Sequence, residues 1–360
     1  MAESKRFTHI DLLETIAIFF VIVYHSTLYS FNFLVDNSLL SYLRYFFRTI
    51  LSTCVPLFFF ANGYLLLGKP FNLRKHISKT VKLVLLTVTW AIITLFALQE
   101  IRQEYFTFRE FIAALWSWKQ NWINHFWFMG ALVCVYVFFP LIKSVFDSNK
   151  KLFIYFVIIC AIFTLGNTLL NQAATVCASV FFHKSIALSG NNFFSMFNPF
   201  RGIYGFPFVY FCAGGLMYSY QDKLLHISAK LRNTLCVIGL LVSCTALFLL
   251  GILYSKINGE IWAVVWNGYD TVFTFLNVIF IHTLCLNWKA DSPTIRFISN
   301  NTLGVYFMHN LLMWLIRPYL LEYAFCRTYT ATLFFAFILL VLCLLLCHLI
   351  KKVPLLSKLL

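Results

Sequence analysis

The sequence predicts an all-α integral membrane protein, a polytopic bundle of about ten transmembrane helices. Of the 360 residues 61% are hydrophobic and only 11% are charged, and they include 42 Phe and 18 Tyr. A soluble domain carries about a quarter of charged residues. The apolar residues are also grouped into stretches near the ~20 residues that a helix needs to cross a bilayer. Lipid is therefore the predicted solvent.

Ten such stretches follow one another along the chain. They cover residues 12–31, 47–67, 81–99, 126–146, 152–171, 203–220, 234–254, 262–285, 303–323 and 329–350. The first follows Lys5 and Arg6 but no small-residue cleavage site comes after it, so it is predicted to be an uncleaved span. Since no stretch resembles a water-soluble domain, residues 1–360 are predicted to form one transmembrane domain.

The basic residues give an independent test of this topology. Lys and Arg accumulate in the cytoplasmic loops of membrane proteins. If the N-terminus is cytoplasmic, most of the 28 basic residues fall on the inner side and both termini lie inside. The net charge of +15 then reflects topology, and no nucleic-acid partner is predicted.

The eleven cysteines are scattered and form neither a CxxC pair nor a Cys/His spacing suited to a metal. No metal is therefore predicted. Cys177 and Cys326 fall in outward loops, where they could pair if that compartment is oxidising.

Three ionisable residues lie in or just before the first span. Asp11 and Glu14 precede His25 by fourteen and eleven residues, which places all three on one helix face, about 40° and 20° from eclipsed. Such groups are costly in hydrocarbon and are functional candidates. By helical rise the carboxylates lie roughly 16 to 21 Å from His25, too far to orient its ring in an unbroken helix.

Four stretches carry a more specific pattern. The first ends at His25, and the second, Val55 to Lys69, contains Asn62. The other two are NHFWFMGALVCVYVFFPLI, with His125 and Trp127, and ISNNTLGVYFMHN, with His309. In this order and spacing they resemble the acyltransferase-3 family of membrane O-acyltransferases, particularly the members that O-acetylate bacterial surface glycans. Asn62 replaces the family's usual serine.

The resemblance implies transfer of an acetyl or similar group from acetyl-CoA to a hydroxyl of an envelope polysaccharide or lipid-linked glycan, in a bacterial inner membrane and among its lipids. A sugar hydroxyl needs a base to take its proton. His25 is the first candidate, against a structural role bonding a neighbouring helix. His309, the histidine of the late motif, and Asp11, which is in register with the first motif, are further catalytic candidates.

Glu14 departs from the family, which has an arginine at this position that is thought to engage the donor. Either a basic residue such as Arg48 or Arg74 takes over that role, or the chain has diverged in donor or activity. Glu14 could also be a solvated residue at the inner end of the span. The inner loop offers Arg74, Lys75 and Lys79 for the phosphates of coenzyme A, although positive-inside topology alone accounts for them.

The predicted acceptor side comprises His125, Trp127, Asn62 and Arg201. Trp127 also lies where an aromatic residue would anchor a helix at the membrane–water interface. Two other classes of function remain open. A proton-coupled transporter or flippase of a glycan or lipid would use buried His and acidic residues as a relay, although no convincing internal repeat supports it. A catalytically inactive relative would bind a glycan only.

Overall fold

The computed structural model describes residues 6–184, 205–262, 268–354 and 356–360, and this part of the chain is helical without a β-strand. Its α-helices, in chain order, are α1 Thr8–His25, α2 Leu39–Leu51, α3 Cys54–Leu67, α4 Leu73–Arg102, α5 Phe108–Trp116, α6 Trp127–Ser148, α7 Lys150–Ala161, α8 Asn167–Phe181, α9 Gly205–Leu225, α10 Ala229–Asn258, α11 Val272–Cys285, α12 Pro293–Ser299, α13 Thr302–Leu321 and α14 Tyr329–Lys352. A π-helical turn, Ile162–Gly166, joins α7 to α8, and the 3₁₀ turn Asn124–Phe126 leads into α6.

Seven helical segments in the described ranges are long and apolar enough to cross a membrane. They are Thr8–His25, Leu39–Leu67, Leu73–Arg102, Asn124–Ser148, Lys150–Phe181, Ala229–Asn258 and Tyr329–Lys352. The other three predicted spans coincide with α9, α11 and α13, which are not among these seven. The chain is thus an all-helical, multi-pass membrane protein, and both the count of ten and the cytoplasmic termini stay predictions.

The chain forms two compact units, each described here by itself. The first unit comprises residues 1–20, 30–69 and 142–296, and the second unit comprises residues 21–29, 70–141 and 297–360. The last five residues of α1 belong to the second unit.

The first unit is organised around the close approach of α3 and α9. A Cβ at Gly63 would overlap the backbone carbonyl of Phe211, and a Cβ at Gly214 would overlap that of Phe60. Small residues permit such backbone contact between membrane helices, where packing rather than water exclusion drives association. Both positions therefore require glycine.

The second unit contains α4, α13, α14 and residues 127–141 of α6. Asn72 caps α4 by accepting a hydrogen bond from the amide of Lys75, a placement that Asn favours. The Trp90 ring lies parallel to that of Phe307, 12° between planes and 5.5 Å between centroids, which joins α4 to α13. These contacts hold the first half of α13, the segment that carries the late motif.

Helix α1 ends at His25, six residues before the end of the predicted span. The next residues turn away because their backbone groups find partners in the second unit. The Thr27 carbonyl accepts hydrogen bonds from Nε and Nη2 of Arg317, at 3.2 and 3.0 Å, and the Leu28 amide donates to Oγ1 of Thr332 at 3.0 Å. Such partners replace the intrahelical bonds that a helix terminus lacks. His25 is consequently fixed at the end of a membrane helix.

Candidate active site

Two histidines that are 284 residues apart in the sequence form a hydrogen-bonded pair in the second unit. Nδ1 of His25 lies 2.8 Å from Nε2 of His309. The two rings are nearly parallel, with 9° between planes and 5.1 Å between centroids. His309 is fully buried in α13 and His25 is half-buried. We refer to these two residues as the histidine pair.

The hydrogen bonds of the histidine pair have a defined direction. Nδ1 of His309 lies 2.7 Å from the carbonyl oxygen of Tyr306, which can only accept, so Nδ1 carries the hydrogen. In a neutral ring Nε2 of His309 is then an acceptor, and Nδ1 of His25 must donate to it. The neutral His25 ring consequently carries no hydrogen on Nε2. That nitrogen has the lone pair that a general base requires.

His125 adjoins the histidine pair from the 3₁₀ turn before α6. Its ring lies edge-on to that of His309, at 84° with 6.2 Å between centroids. The carbonyl of His125 accepts a hydrogen bond from the Tyr306 hydroxyl. Its Nδ1 lies 2.9 Å from Nδ2 of Asn310. The structure thus brings together the histidines of three of the predicted motifs.

Asp11 and Glu14 do not contact the His25 ring. Since α1 is unbroken from Thr8 to His25, the helical rise separates them from His25 by about 21 and 16 Å. Asp11 is paired instead with Arg6 through a bidentate contact of 2.6 and 3.0 Å in the first unit, and Glu14 is half-buried there. His25 is hydrogen-bonded instead to His309.

The predicted donor-binding residues occupy different environments. Arg74, Lys75 and Lys79 are exposed on the first two turns of α4, in the second unit. Arg48 is buried in α2 of the first unit, and its guanidinium lies 4.2 Å from the centroid of the Phe31 ring. The three basic residues of α4 thus lie on a helix rather than in the predicted loop, and they are accessible to a soluble anion.

Of the remaining acceptor-side predictions, Trp127 belongs to the second unit and Asn62 to the first unit. Trp127 begins α6, two residues after His125. Asn62 is in α3 of the first unit, where its Nδ2 donates to the Phe58 carbonyl at 2.9 Å. Arg201 lies outside the described residues.

Two residues that contribute to the site were missed from the sequence. Tyr306 and Asn310 lie within the late motif, but nothing in one sequence indicates that they contact His125, 181 and 185 positions away, or that they fix a tautomer. Their spacing was the available signal, because Tyr306, His309 and Asn310 fall at helical intervals of three and four on α13. A helical wheel of that motif would have grouped them.

A second group of histidines lies in the first unit and was also missed. Nε2 of His9 lies 3.1 Å from the Tyr64 hydroxyl, which donates to Gln221. The fully buried ring of His282 packs on Phe60, with centroids 4.8 Å apart. Within the described part of the chain neither ring nitrogen of His282 has a hydrogen-bond partner.

No metal-ligand set is formed by the described residues, in which no group of three or more His, Cys, Asp or Glu side chains is placed to hold an ion. All eleven cysteines are free thiols. Cys177 is exposed and Cys326 is buried, and no disulfide joins them.

The fold and the site define a multi-pass membrane protein in which three motif histidines lie close together in the second unit. The acyltransferase-3 family model, described as an acyltransferase domain, matches residues 7–352. The chain therefore belongs to the acyltransferase-3 family and is a membrane acyltransferase, as the four motifs predicted. No curated protein and no solved structure matches the chain significantly.

Proposed function

We propose that this protein is an O-acyltransferase that moves an acetyl or similar acyl group from acyl-CoA to a hydroxyl of an envelope saccharide or lipid-linked glycan. The observation that carries the proposal is the directed chain from His25 through His309 to the Tyr306 carbonyl. A transfer to a hydroxyl needs a base that accepts the proton, and the tautomer set by this chain places the lone pair of the neutral His25 ring on Nε2.

The reaction follows from this arrangement. Nε2 of His25 takes the proton of the acceptor hydroxyl while the hydroxyl oxygen attacks the thioester carbonyl carbon. The positive charge that forms on His25 is stabilised because its Nδ1–H points at the lone pair of His309, whose own Nδ1–H points at a carbonyl. Collapse of the tetrahedral intermediate breaks the C–S bond, and His25 returns the proton to the thiolate of coenzyme A.

In this proposal the donor approaches from the cytoplasm and the acceptor from the opposite side of a bacterial inner membrane. Arg74, Lys75 and Lys79 are assigned to the phosphates of acyl-CoA, because they are exposed on the first two turns of α4. Arg is suited to bidentate phosphate contacts and Lys to a point-charge contact. The end of α1 that carries Asp11 and Glu14 is assigned to the side from which the acyl-CoA donor approaches.

The enzyme is favoured over a proton-coupled transporter because the whole matched region belongs to an acyltransferase family. It is favoured over an inactive relative because the motif histidines are assembled into a hydrogen-bonded array.

Mass spectrometry of envelope glycans tests the proposal in a strain that lacks the gene. We expect the deletion to remove an acyl ester and the native gene to restore it. His25→Ala should fail to restore it at equal protein level. The control is His348→Ala, which removes an exposed histidine from α14 of the same unit and should restore the ester. If the deletion leaves every ester in place, the proposed function is wrong.

A further inference from the structure

The environment of His125 fixes the position of its ring hydrogen. The side-chain amide of Asn310 presents Nδ2 to Nδ1 of His125 at 2.9 Å. An amide NH₂ group only donates, so Nδ1 of His125 accepts and carries no hydrogen. The single hydrogen of the neutral ring is therefore on Nε2.

This N–H group is left without a partner. His125 is 7% exposed, and its Nε2 is buried and makes no hydrogen bond to any of the residues that the structure describes. Burying an unpaired donor is energetically costly. Two contacts nevertheless hold the residue in place, the Tyr306 hydroxyl at its carbonyl and Asn310 at its ring. An unpaired donor that is held rigidly and out of water is the arrangement that stabilises a developing negative charge.

The location of His125 matches the place where that charge develops. Its ring contacts His309 edge-on, and His309 is hydrogen-bonded to His25. When a hydroxyl deprotonated by His25 attacks a thioester, negative charge moves to the carbonyl oxygen. A neutral donor serves this oxygen without placing a second positive charge beside the imidazolium of His25.

We propose that Nε2–H of His125 donates a hydrogen bond to the thioester carbonyl oxygen in the tetrahedral intermediate, with Asn310 as the positioning residue that fixes the tautomer. The inference rests on the proposed function. No new covalent step is added, because the oxygen regains its double bond when the thiolate leaves.

Kinetics of the purified protein in lipid nanodiscs test the proposal. The probe is acetyl-CoA with the saccharide fraction of the deletion strain as acceptor, and the readout is thiol release. His125→Phe removes the donor and should lower kcat about 10²- to 10³-fold, with the KM values for both substrates nearly unchanged. His125→Gln keeps an N–H group near the Nε2 position and should recover part of kcat.

Asn310→Asp tests the tautomer directly. Aspartate only accepts, so the hydrogen of His125 should move to Nδ1 and kcat should fall as in His125→Phe. The double variant should lose no more than either single variant, because both remove the same donor. Asn300→Asp is the matched control, since Asn300 is exposed in the same motif, and it should leave kcat unchanged.

A readout independent of turnover is the nitrogen-15 NMR spectrum of histidine-labelled protein, which distinguishes protonated from unprotonated ring nitrogens. We expect the His125 hydrogen on Nε2 in the native protein and on Nδ1 in Asn310→Asp. A hydrogen on Nδ1 in the native protein would overturn the proposal. A normal kcat in His125→Phe would also overturn it. A change only in the KM for saccharide would overturn it too, because it would assign His125 to acceptor binding. The proposed function would survive both of these kinetic results. If the native protein releases no thiol, both proposals are wrong.

Discussion

At the scale of single residues, the proposed reaction depends on which nitrogen of each histidine carries its hydrogen. A backbone carbonyl at Tyr306 sets the tautomer of His309, and His309 sets that of His25. The arrangement assigns to a neutral imidazole the orienting role that a carboxylate has in a Ser-His-Asp triad.

Variants of His309 test whether its hydrogen bond to His25 is needed or only a side chain that fills the same space. His309→Gln places an acceptor oxygen near the Nε2 position, so it should retain the bond from His25. His309→Asn has its side-chain amide near the Nδ1 position and cannot reach His25. We expect kcat for thiol release to fall at least about 10²-fold in His309→Asn and clearly less in His309→Gln. Equal kcat values in the two variants would show that the bond to His25 has no kinetic role.

At the scale of elements, the end of helix α1 determines where His25 lies. Arg317 and Thr332 satisfy the backbone groups of Thr27 and Leu28 after the last helical residue. If these partners were absent, α1 could continue through residues 26–31, which were predicted as the end of the first span.

Substitution of Thr332 tests this account. Thr332→Val leaves the buried Leu28 amide unpaired, which should cost about 1–3 kcal/mol of stability and lower kcat through displacement of His25. Thr332→Ser keeps the hydroxyl and should resemble the native protein in both respects. Thermal unfolding in detergent and thiol release measure the two effects. A native kcat in Thr332→Val would show that the hydrogen bond at the end of α1 is not needed for catalysis.

The contact of α3 with α9 gives a second prediction at this scale. Gly63→Ala forces a Cβ against the Phe211 carbonyl, and a backbone atom cannot move aside as a side chain can. We expect a loss of at least ~3 kcal/mol, seen as a lower unfolding temperature or poor accumulation in the membrane. Gly166→Ala is the control, because its Cβ would lie 3.6 Å from the nearest atom, the Ala161 carbonyl oxygen. If both variants unfold alike, helix contact does not explain the need for Gly63.

At the scale of the whole molecule, the topology decides from which side each substrate arrives. The basic residues predict cytoplasmic termini, and the donor of the proposed reaction is a cytoplasmic thioester. Reporter fusions test the orientation: a fluorescent protein at either terminus should be bright, and a periplasmic phosphatase should be inactive there. An active phosphatase at the C-terminus would mean an odd number of spans.

The sequence predicted the helical membrane fold because composition and segment length reflect the solvent directly. It also predicted His25, His125 and His309 as candidates, since each lies in a motif. It did not predict that they meet, nor that Tyr306 and Asn310 set their tautomers, because such contacts depend on packing between helices far apart in the chain. The first span was predicted to run six residues beyond the end of α1 for the same reason, since Arg317 and Thr332 determine where the helix ends.

The most direct test of the central claim is the rate of thiol release from acetyl-CoA by purified His25→Ala protein, with saccharide acceptor and with imidazole added. We predict a rate at least ~10²-fold below that of the native protein, partial recovery with imidazole, and a native rate for His348→Ala. A native rate in His25→Ala would contradict the assignment of His25 as the base.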